Sequence, residues 1–321
     1  MDVLVYLIQC TLPVAVPLLL AALGGMFSEK SGVVNIALEG IMLFGAFLGT
    51  LTVYGLQGGN WNPQLLLLFG SLVAAVAGAI YSLLLAVAAV SLKANQTIAG
   101  TALNMLAPAV MLLVCKMLFD SDGIATEVNF FIPEVPGLAK LPVLGELFFT
   151  KTYATVYLGS LLFAVAAVVY YKTRFGLRLR ACGEHPQAAD SVGINVYRIR
   201  YAGVLISGIL GGIGGFFYVV GVMNGNSNGY TGVAGFGFLA LAVMIFGQWQ
   251  PVKILFSSIL FAFLRTVAYS APMIPILSSI SIDNSYYKML PYIVTVVVLI
   301  FTSGSDMAPK ARGVVYDKGK R

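Results

Sequence analysis

Nine apolar runs along this sequence are long enough, or nearly so, to cross a lipid bilayer. The hydrocarbon core of a bilayer is about 30 Å thick, and a helix needs roughly 20 apolar residues to span it. These runs dominate the composition, since 59% of the 321 residues are hydrophobic and 10% are charged. A soluble domain has about 25% charged residues and so presents far more polar surface to water. We therefore predict a polytopic membrane protein with spans at 3–24, 33–55, 65–91, 97–119, 152–171, 201–222, 233–247, 254–271 and 289–303.

The spans are predicted to be helices of one transmembrane domain that covers residues 1–321. Strands of a membrane barrel are about ten residues of alternating apolar and polar character. The run 65–92 is almost continuously apolar and does not fit that pattern. The sequence thus predicts an all-α integral membrane protein, a helical bundle of about nine spans. Because 233–247 is short, a count from eight to ten also fits.

Lysine and arginine residues predict the orientation of the bundle. The loop 172–200 holds six basic residues and the tail 304–321 holds five, whereas 120–151 holds five acids and two lysines. Cytoplasmic loops of membrane proteins carry the excess of Lys and Arg. We therefore predict that 172–200 and 304–321 are cytoplasmic and that 120–151 and the N-terminus are external. This arrangement explains the net charge of +6 without any nucleic-acid partner.

Motifs for catalysis or metal binding are missing from the sequence. It has no G-x-x-x-x-G-K-[ST] phosphate loop, so the chain is not expected to hydrolyse ATP itself. A G-x-S-x-G match at 225–229 lies across the predicted membrane from the single histidine, His185, which makes a nucleophile elbow a poor interpretation. The cysteines Cys10, Cys115 and Cys182 are widely spaced and predict neither disulfides nor a zinc site. We expect a protein that is not an enzyme and that needs no cofactor.

The loop 172–200 also carries the signals of a short helix. Pro186 suits the first position of a helix, where no backbone N–H is required. Gly193 can end the helix in the left-handed conformation. We predict a helix of about two turns between Gly183 and Gly193, rigid enough to transmit force to a partner. The alternative is a flexible basic tether held near anionic membrane lipid.

The same loop resembles the membrane permeases of bacterial ABC importers that carry branched-chain amino acids, simple sugars and nucleosides. The resembling residues are Thr173, Gly176, Arg180, Ala181, Gly183, Pro186, Ala188, Ala189, Gly193 and Ile194. Further motifs occur at 31–40, 93–97, 104–107 and 246–251, and together they look most like the nucleoside or simple-sugar branch. His185 departs from the pattern, because relatives often carry asparagine before the proline.

The resemblance implies a type II-like importer permease in the cytoplasmic membrane of a bacterium. Its loop would be a coupling helix that docks into a separate ATP-binding cassette ATPase. A homologous permease subunit, with a heterodimer expected, and an extracytoplasmic substrate-binding protein would complete the machine. The residues implied in coupling to the ATPase are Gly183, Glu184, His185, Pro186, Gln187, Ala188, Ala189, Asp190 and Gly193.

Polar side chains recur at helical spacing in two predicted spans. Residues at i, i+4 and i+7 lie on one face of a helix, and a polar face within lipid must contact protein or water. We therefore predict that these faces line the translocation path. Their members are Asn35, Glu39 and Met42 in one span and Thr97, Thr101 and Asn104 in the other.

Glu39 and Arg265 are charged residues at membrane depth and need a special explanation. A buried carboxylate is costly unless it is paired, protonated or exposed to a wet path. Glu39 is predicted to brace a broken helix, with direct contact to the solute or a place at the cytoplasmic interface as alternatives. Arg265 is expected to snorkel or to form an ion pair. The glycines at 208–215 contain two G-x-x-x-G spacings and predict close helix packing.

The function expected from these features is import of a nucleoside or related sugar-containing solute, driven by a separate ATPase. A branched-chain amino acid or a monosaccharide is the alternative cargo within the same class. An ion- or proton-coupled transporter that works alone is a second alternative, but it needs acidic or histidine relay groups inside the spans. A membrane enzyme or an inert scaffold is disfavoured by the missing motifs and by the polar stripes.

Overall fold

The computed structural model describes residues 2–135, 144–228, 232–271 and 307–319, with the isolated positions 289, 293, 294 and 296. Within these residues, seven helices are long and apolar enough to cross a membrane. The long helices are α1 (Asp2–Lys30), α2 (Leu38–Leu56), α3 (Pro63–Ala86), α4 (Gln96–Phe119), α6 (Ala154–Lys172), α9 (Val196–Gly221) and α11 (Pro251–Ser270). The shorter ones are α5 (Leu144–Phe148), α7 (Arg174–Glu184), α8 (Pro186–Ser191) and α10 (Phe236–Phe246).

The predicted all-α membrane fold is confirmed, whereas the count of nine spans is not. The run 233–247 forms the 11-residue helix α10, which at 1.5 Å per residue is about half the length that a bilayer requires. The run 289–303 falls almost wholly outside the described residues. The start of one span also differs, because α2 begins at Leu38 and residues 33–37 are not helical.

Helix α9 lies at the centre of the bundle and packs against α1, α2 and α3. The glycines of α9 allow the neighbouring helices to approach closely, because the atoms next to them are main-chain atoms, which cannot move away from a larger side chain as a rotamer could. A methyl group added at Gly212 would collide with the carbonyl oxygen of Ala74, and one at Gly215 with that of Met42. The close packing predicted for the 208–215 glycines is therefore confirmed.

One end of the bundle is closed by short strands from the loops predicted to be external. Strand β1 (Gly123–Ala125) pairs antiparallel with β4 (Asn226–Asn228). Strand β2 (Phe131–Glu134) pairs antiparallel with β3 (Thr150–Tyr153). The loop 120–151 is therefore partly ordered by pairing, and its contact with the loop after α9 places these two segments at the same end of the bundle.

The other end is covered by residues 307–319, called the tail segment below. The backbone N–H of Ala311 donates to the carbonyl of Gly183, and that of Gly313 donates to the carbonyl of Gly32. The ammonium of Lys93 pairs with the carboxylate of Asp317 at 3.0 Å. The tail segment thus contacts the residues just after α1, the connection between α3 and α4, and the last turn of α7, so these three lie at the same end of the bundle as the basic loop 172–200.

Candidate functional site

Helix α8 matches the short helix predicted in the basic loop. Pro186 occupies its first turn, and the helix runs to Ser191. Gly193 has φ +84°, and the N–H of Ile194 donates to the carbonyl of Ala189 at 3.0 Å. This is the left-handed ending that a glycine supplies at low cost. The predicted helix and its ending are confirmed.

Gly183 does not frame α8 as predicted. It lies in the last turn of the amphipathic helix α7, which the sequence reasoning missed, and an added methyl group would collide with the carbonyl oxygen of Lys30. Thr173 caps the start of α7 by accepting from the N–H of Gly176 at 3.2 Å. The chain breaks at His185 instead, whose φ of −142° separates α7 from α8.

Helix α8 has a buried face and an exposed face. Pro186 and Ala189 are buried, whereas His185, Gln187 and Ala188 are exposed. Val192, just after the helix, is 76% exposed, which is high for a β-branched apolar side chain. Glu184 and Asp190 are half-buried, and Gly193 is exposed. The predicted coupling residues therefore separate into an exposed set and a set that is buried or half-buried.

The buried face of α8 packs in a small apolar cluster to which the tail segment contributes Tyr316. Ala189 packs there with Cys182, Val196 and Tyr316, and all four are buried. Burial raises the pKa of the Cys182 thiol to about 11. Burial and the neighbouring Asp190 carboxylate together raise the pKa of the Tyr316 hydroxyl. The tail segment therefore forms part of the surface on which α8 is built.

A buried acid at the end of α1 holds the tail segment in place. Glu29 is fully buried, and its Oε2 accepts from the indole N–H of Trp249 at 2.6 Å. The guanidinium of Arg312 pairs with the same oxygen at 2.9 Å. The sequence reasoning missed this cluster, because its members are far apart in the chain. The sequence offered one signal for this pair: Glu29 is an acidic residue at the end of an apolar span, and the tail 304–321, predicted on the same side of the membrane, is basic.

Arg200 is a second buried cation that binds the tail segment. Its side chain is 1% exposed, and its Nη1 donates to the carbonyl of Val314 at 2.9 Å. The guanidinium also lies 5.8 Å from the centre of the Tyr316 ring. Because Arg200 belongs to α9, the tail segment connects α8 directly to the central helix of the bundle.

Glu39 joins the beginnings of two helices in the interior of the bundle. Its Oε1 accepts from the N–H of Gly235 at 2.9 Å and its Oε2 from the N–H of Gly237 at 2.7 Å. These are free N–H groups at the start of α10, where a negative charge is favourable. A methyl group added at Gly237 would collide with the backbone of Glu39, so the two helix ends abut. Glu39 braces a helix, as expected, but the helix is α10 rather than its own.

Asn104 braces the unwound segment before α2. Its amide donates to the carbonyl of Ile36 at 2.8 Å, and its Oδ1 accepts from the N–H of Gly40 at 2.8 Å. These bonds satisfy main-chain groups that a continuous helix would have paired internally. Discontinuous helices that meet near mid-membrane are typical of substrate paths in transporters.

The other predicted path residues are divided between the interior and the surface of this chain. Asn35 and Met42 are fully buried, and the amide of Asn35 donates to the hydroxyl of Ser207 at 2.8 Å. Thr97 and Thr101 are exposed on α4. The structure thus brings Glu39 and Asn104 to the α2 junction and leaves the threonines on an outer face. Their assignment to the path stays a prediction.

The fold and these junctions define a multi-pass membrane protein with broken helices inside a bundle. Residues 7–299 match the family described as branched-chain amino acid transport system / permease component. The chain belongs to this family of membrane transport permeases.

Curated relatives resemble the chain over its whole length. It is 42% identical to the guanosine ABC transporter permease protein NupQ of Bacillus subtilis, covering 100% of this chain and 99% of the relative. It is 43% identical to the nucleoside ABC transporter permease protein NupC of Lactococcus lactis, covering 95% and 94%. A second Lactococcus lactis nucleoside permease, NupB, is 27% identical over 47% of this chain and 39% of its own length.

Proposed function

We propose that this chain is a transmembrane subunit of an ATP-binding cassette importer for nucleosides in the bacterial cytoplasmic membrane. The observation that carries the proposal is the 42% identity, over the full length of both chains, to a guanosine permease. A related nucleoside permease from a second organism aligns over 95% of this chain. Similarity of this extent and coverage favours a nucleoside as the cargo over a branched-chain amino acid or a monosaccharide.

The importer would contain at least three other kinds of subunit. A homologous permease would complete the translocation path, and the presence of both NupB and NupC in Lactococcus lactis supports a heterodimer. A separate ATPase would supply the energy, and an extracytoplasmic binding protein would deliver the nucleoside. This chain would supply half of the translocation path, the surface that contacts the ATPase, and helices that hold the complex in the lipid bilayer.

The exposed face of α8 is the contact surface that we assign to the ATPase. Ala188 and Gln187 are exposed on it, and Val192 is 76% exposed beside it. Ala188 and Val192 leave neighbouring apolar side chains exposed at one end of the protein, and an exposed apolar patch supports a partner surface. Pro186 and Ala189 are buried on the opposite face, where Ala189 packs in the apolar cluster, and would transmit a movement of α8 into the bundle.

The tail segment would connect a movement of α8 to the membrane-spanning helices. It contacts α8 through Tyr316, the end of α1 through Arg312, and α9 through the bond from Arg200. ATP-driven movement of the ATPase would therefore displace α8, the tail segment and the two helices together. The buried contacts between them make a rigid connection more favourable than a flexible tether.

Placing a charge on α8 tests the coupling role. We expect Ala188→Asp to reduce co-purification of the ATPase and nucleoside uptake together, each by about tenfold or more, because an unpaired carboxylate would be desolvated in the interface. Ala188→Ser, which is similar in size and uncharged, should behave like the original protein. Pull-down of the ATPase and uptake of labelled guanosine measure the two effects. Normal uptake by an intact complex of the Asp variant would contradict the proposal.

Ala188 is a sharper position for this test than its neighbour. Ala189 is 4% exposed and belongs to the apolar cluster beneath α8. Ala189→Asp would bury an unpaired charge and disturb the fold itself. Thermal unfolding of the two single variants separates these effects: Ala189→Asp should lower the unfolding temperature, whereas Ala188→Asp should leave it unchanged and weaken only the contact with the partner.

A further inference from the structure

A cavity of about 300 Å³ lies between α1, α9 and α11. Its volume is at the lower end of the range for small-molecule sites, roughly 300–1,000 Å³. Arg265 is the one charged residue among those that line it. The lining residues are Cys10, Val14, Tyr218, Val222, Met223, Arg265, Thr266, Tyr269 and Ser270. This space is called the Arg265 cavity below.

The guanidinium of Arg265 has aromatic neighbours and also interacts electrostatically with the carboxylate of Glu39. It lies 4.2 Å from the centre of the Phe236 ring and 5.4 Å from that of Tyr269. The nearby carboxylate of Glu39 uses both its oxygens on the N–H groups of α10. A cation within a membrane-spanning helix is costly unless function requires it. The interaction with Glu39 agrees with the ion-paired arginine expected from the sequence, while aromatic rings cover the guanidinium of Arg265.

Thr266 adds a polar group without a hydrogen-bond partner among the described residues. Its side chain is 5% exposed, and its hydroxyl forms no hydrogen bond with any described residue. Buried hydroxyl groups nearly always have a partner, so each exception needs an explanation. Arg265 and Thr266 together give the cavity several hydrogen-bond donors beside the aromatic rings of Tyr218 and Tyr269.

The Arg265 cavity adjoins a second cavity, which in turn adjoins a third. A cavity of about 430 Å³ shares Cys10, Val14 and Val222 with it. That cavity in turn shares Phe131 and Tyr153 with a third, of about 330 Å³, formed by the paired loops. The series leads from the end of the bundle assigned to the outside towards the start of α10.

We propose that the Arg265 cavity is a binding site for the base of a purine nucleoside on the import route. The guanidinium fork of arginine matches two neighbouring acceptors, as on the O6 and N7 edge of guanine. Aromatic side chains bind bases of any sequence by stacking. The inference rests on the proposed function, and it adds the residues that would contact the cargo and a preference for purines with two adjacent acceptors.

Other small cargoes fit this cavity less well. The carboxylate of an amino acid would also match an arginine fork. Its ammonium group, however, would need an acid or several acceptors, and no acidic residue is among those described as lining the cavity. A monosaccharide has hydroxyl groups but no planar π system to stack on the tyrosines. A purine nucleoside uses the cation, the rings and the hydroxyl groups together.

Photo-crosslinking of the complete wild-type importer tests this site without any mutation. We expect 8-azidoguanosine to label peptides that contain Tyr218–Met223 or Arg265–Ser270, and excess guanosine or inosine to suppress the labelling. Excess cytidine should suppress it less, because its smaller base lacks the O6 and N7 edge. Labelling confined to peptides outside the lining of the Arg265 cavity would overturn the assignment.

Substitution of the arginine gives a second test in liposomes that hold the complete importer. We expect Arg265→Ala to reduce guanosine uptake about tenfold, which corresponds to the loss of one good base contact. ATP hydrolysis stimulated by the loaded binding protein should persist. Arg265→Lys should restore uptake only in part, because lysine keeps the charge and loses the fork.

The outcomes separate this inference from the proposed function. Full guanosine uptake by a folded Arg265→Ala importer would overturn the binding site and leave the proposed function standing. A wild-type importer that carries no nucleoside at all would overturn both. A joint loss of stimulated ATP hydrolysis and membrane insertion in both arginine variants would indicate a structural role for Arg265 and would also overturn the site.

Discussion

Replacing Glu39 by alanine should remove most of the transport activity and much of the stability of the bundle. The substitution leaves the N–H groups of Gly235 and Gly237 without acceptors at the start of α10. Each unsatisfied buried donor costs about 1–3 kcal/mol, so the expected loss in the free energy of unfolding is about 2–6 kcal/mol. Helix α10 has only 11 residues and depends strongly on its cap.

Glu39→Gln should fall between the wild type and the alanine variant. Its amide oxygen can accept from one N–H, but its amide nitrogen would face the other N–H as a second donor. Glu134→Ala provides the control, because Glu134 is an exposed carboxylate in the strand β2. Thermal unfolding of the detergent-purified chain and uptake of labelled guanosine by the importer measure the two effects.

The same variants separate bracing from contact with the solute. If Glu39 touched the nucleoside, Glu39→Gln would raise the KM for uptake and leave the unfolding temperature unchanged. The bracing role requires both quantities to change together. An alanine variant with unaltered unfolding and unaltered uptake would contradict it.

Replacing Arg312 by alanine should detach the tail segment from the bundle. The substitution leaves Glu29 fully buried with Trp249 as its remaining donor. Removing one partner of a buried ion pair typically costs about 3–5 kcal/mol, because a charge is left uncompensated. We expect uptake per ATP hydrolysed to fall sharply, since the tail segment would lose its ion pair with the end of α1.

The thiol of Cys182 reports this detachment directly. It is buried beneath the tail segment, and burial raises its pKa to about 11. At neutral pH the reactive thiolate is therefore scarce, and exposure that returns the pKa to about 9 would raise the thiolate fraction about 100-fold. With Cys10 and Cys115 changed to serine, alkylation should be slow in the parent and roughly 100-fold faster in the Arg312→Ala variant.

The control for this experiment is Lys310, which lies two residues before Arg312 in the tail segment. Lys310→Ala removes an exposed cation from the same segment and should leave the alkylation rate unchanged. Equal rates in the parent and in Arg312→Ala would show that the ion pair does not hold the tail segment over Cys182.

Local patterns allowed much of the fold to be predicted from the sequence. Seven of the apolar runs correspond to long helices, because twenty consecutive apolar residues have few alternatives in lipid. Pro186 and Gly193 marked the limits of α8, because both residues act through their own backbone geometry. The packing of the 208–215 glycines was foreseen for the same reason.

Features that depend on distant partners were not predictable in this way. Glu39 lies nearly 200 positions from the helix that it caps, and the partners of Glu29 come from two separate loops. Hydropathy and helical spacing contain no information about such pairs. Helix α7 was missed because its basic residues resembled a solvated tether, and Gly183 was consequently assigned to the wrong boundary.

Solute accumulation in liposomes, with and without the ATPase, distinguishes an ATP-driven importer from a transporter that works alone. We expect labelled guanosine to accumulate when this chain is reconstituted with its second permease, its ATPase and a binding protein, and only when ATP is supplied on the ATPase side. We also expect no accumulation by this chain alone, whatever ion or proton gradient is imposed. Gradient-driven accumulation by the chain alone, without ATP, would contradict the account and favour a transporter that works by itself.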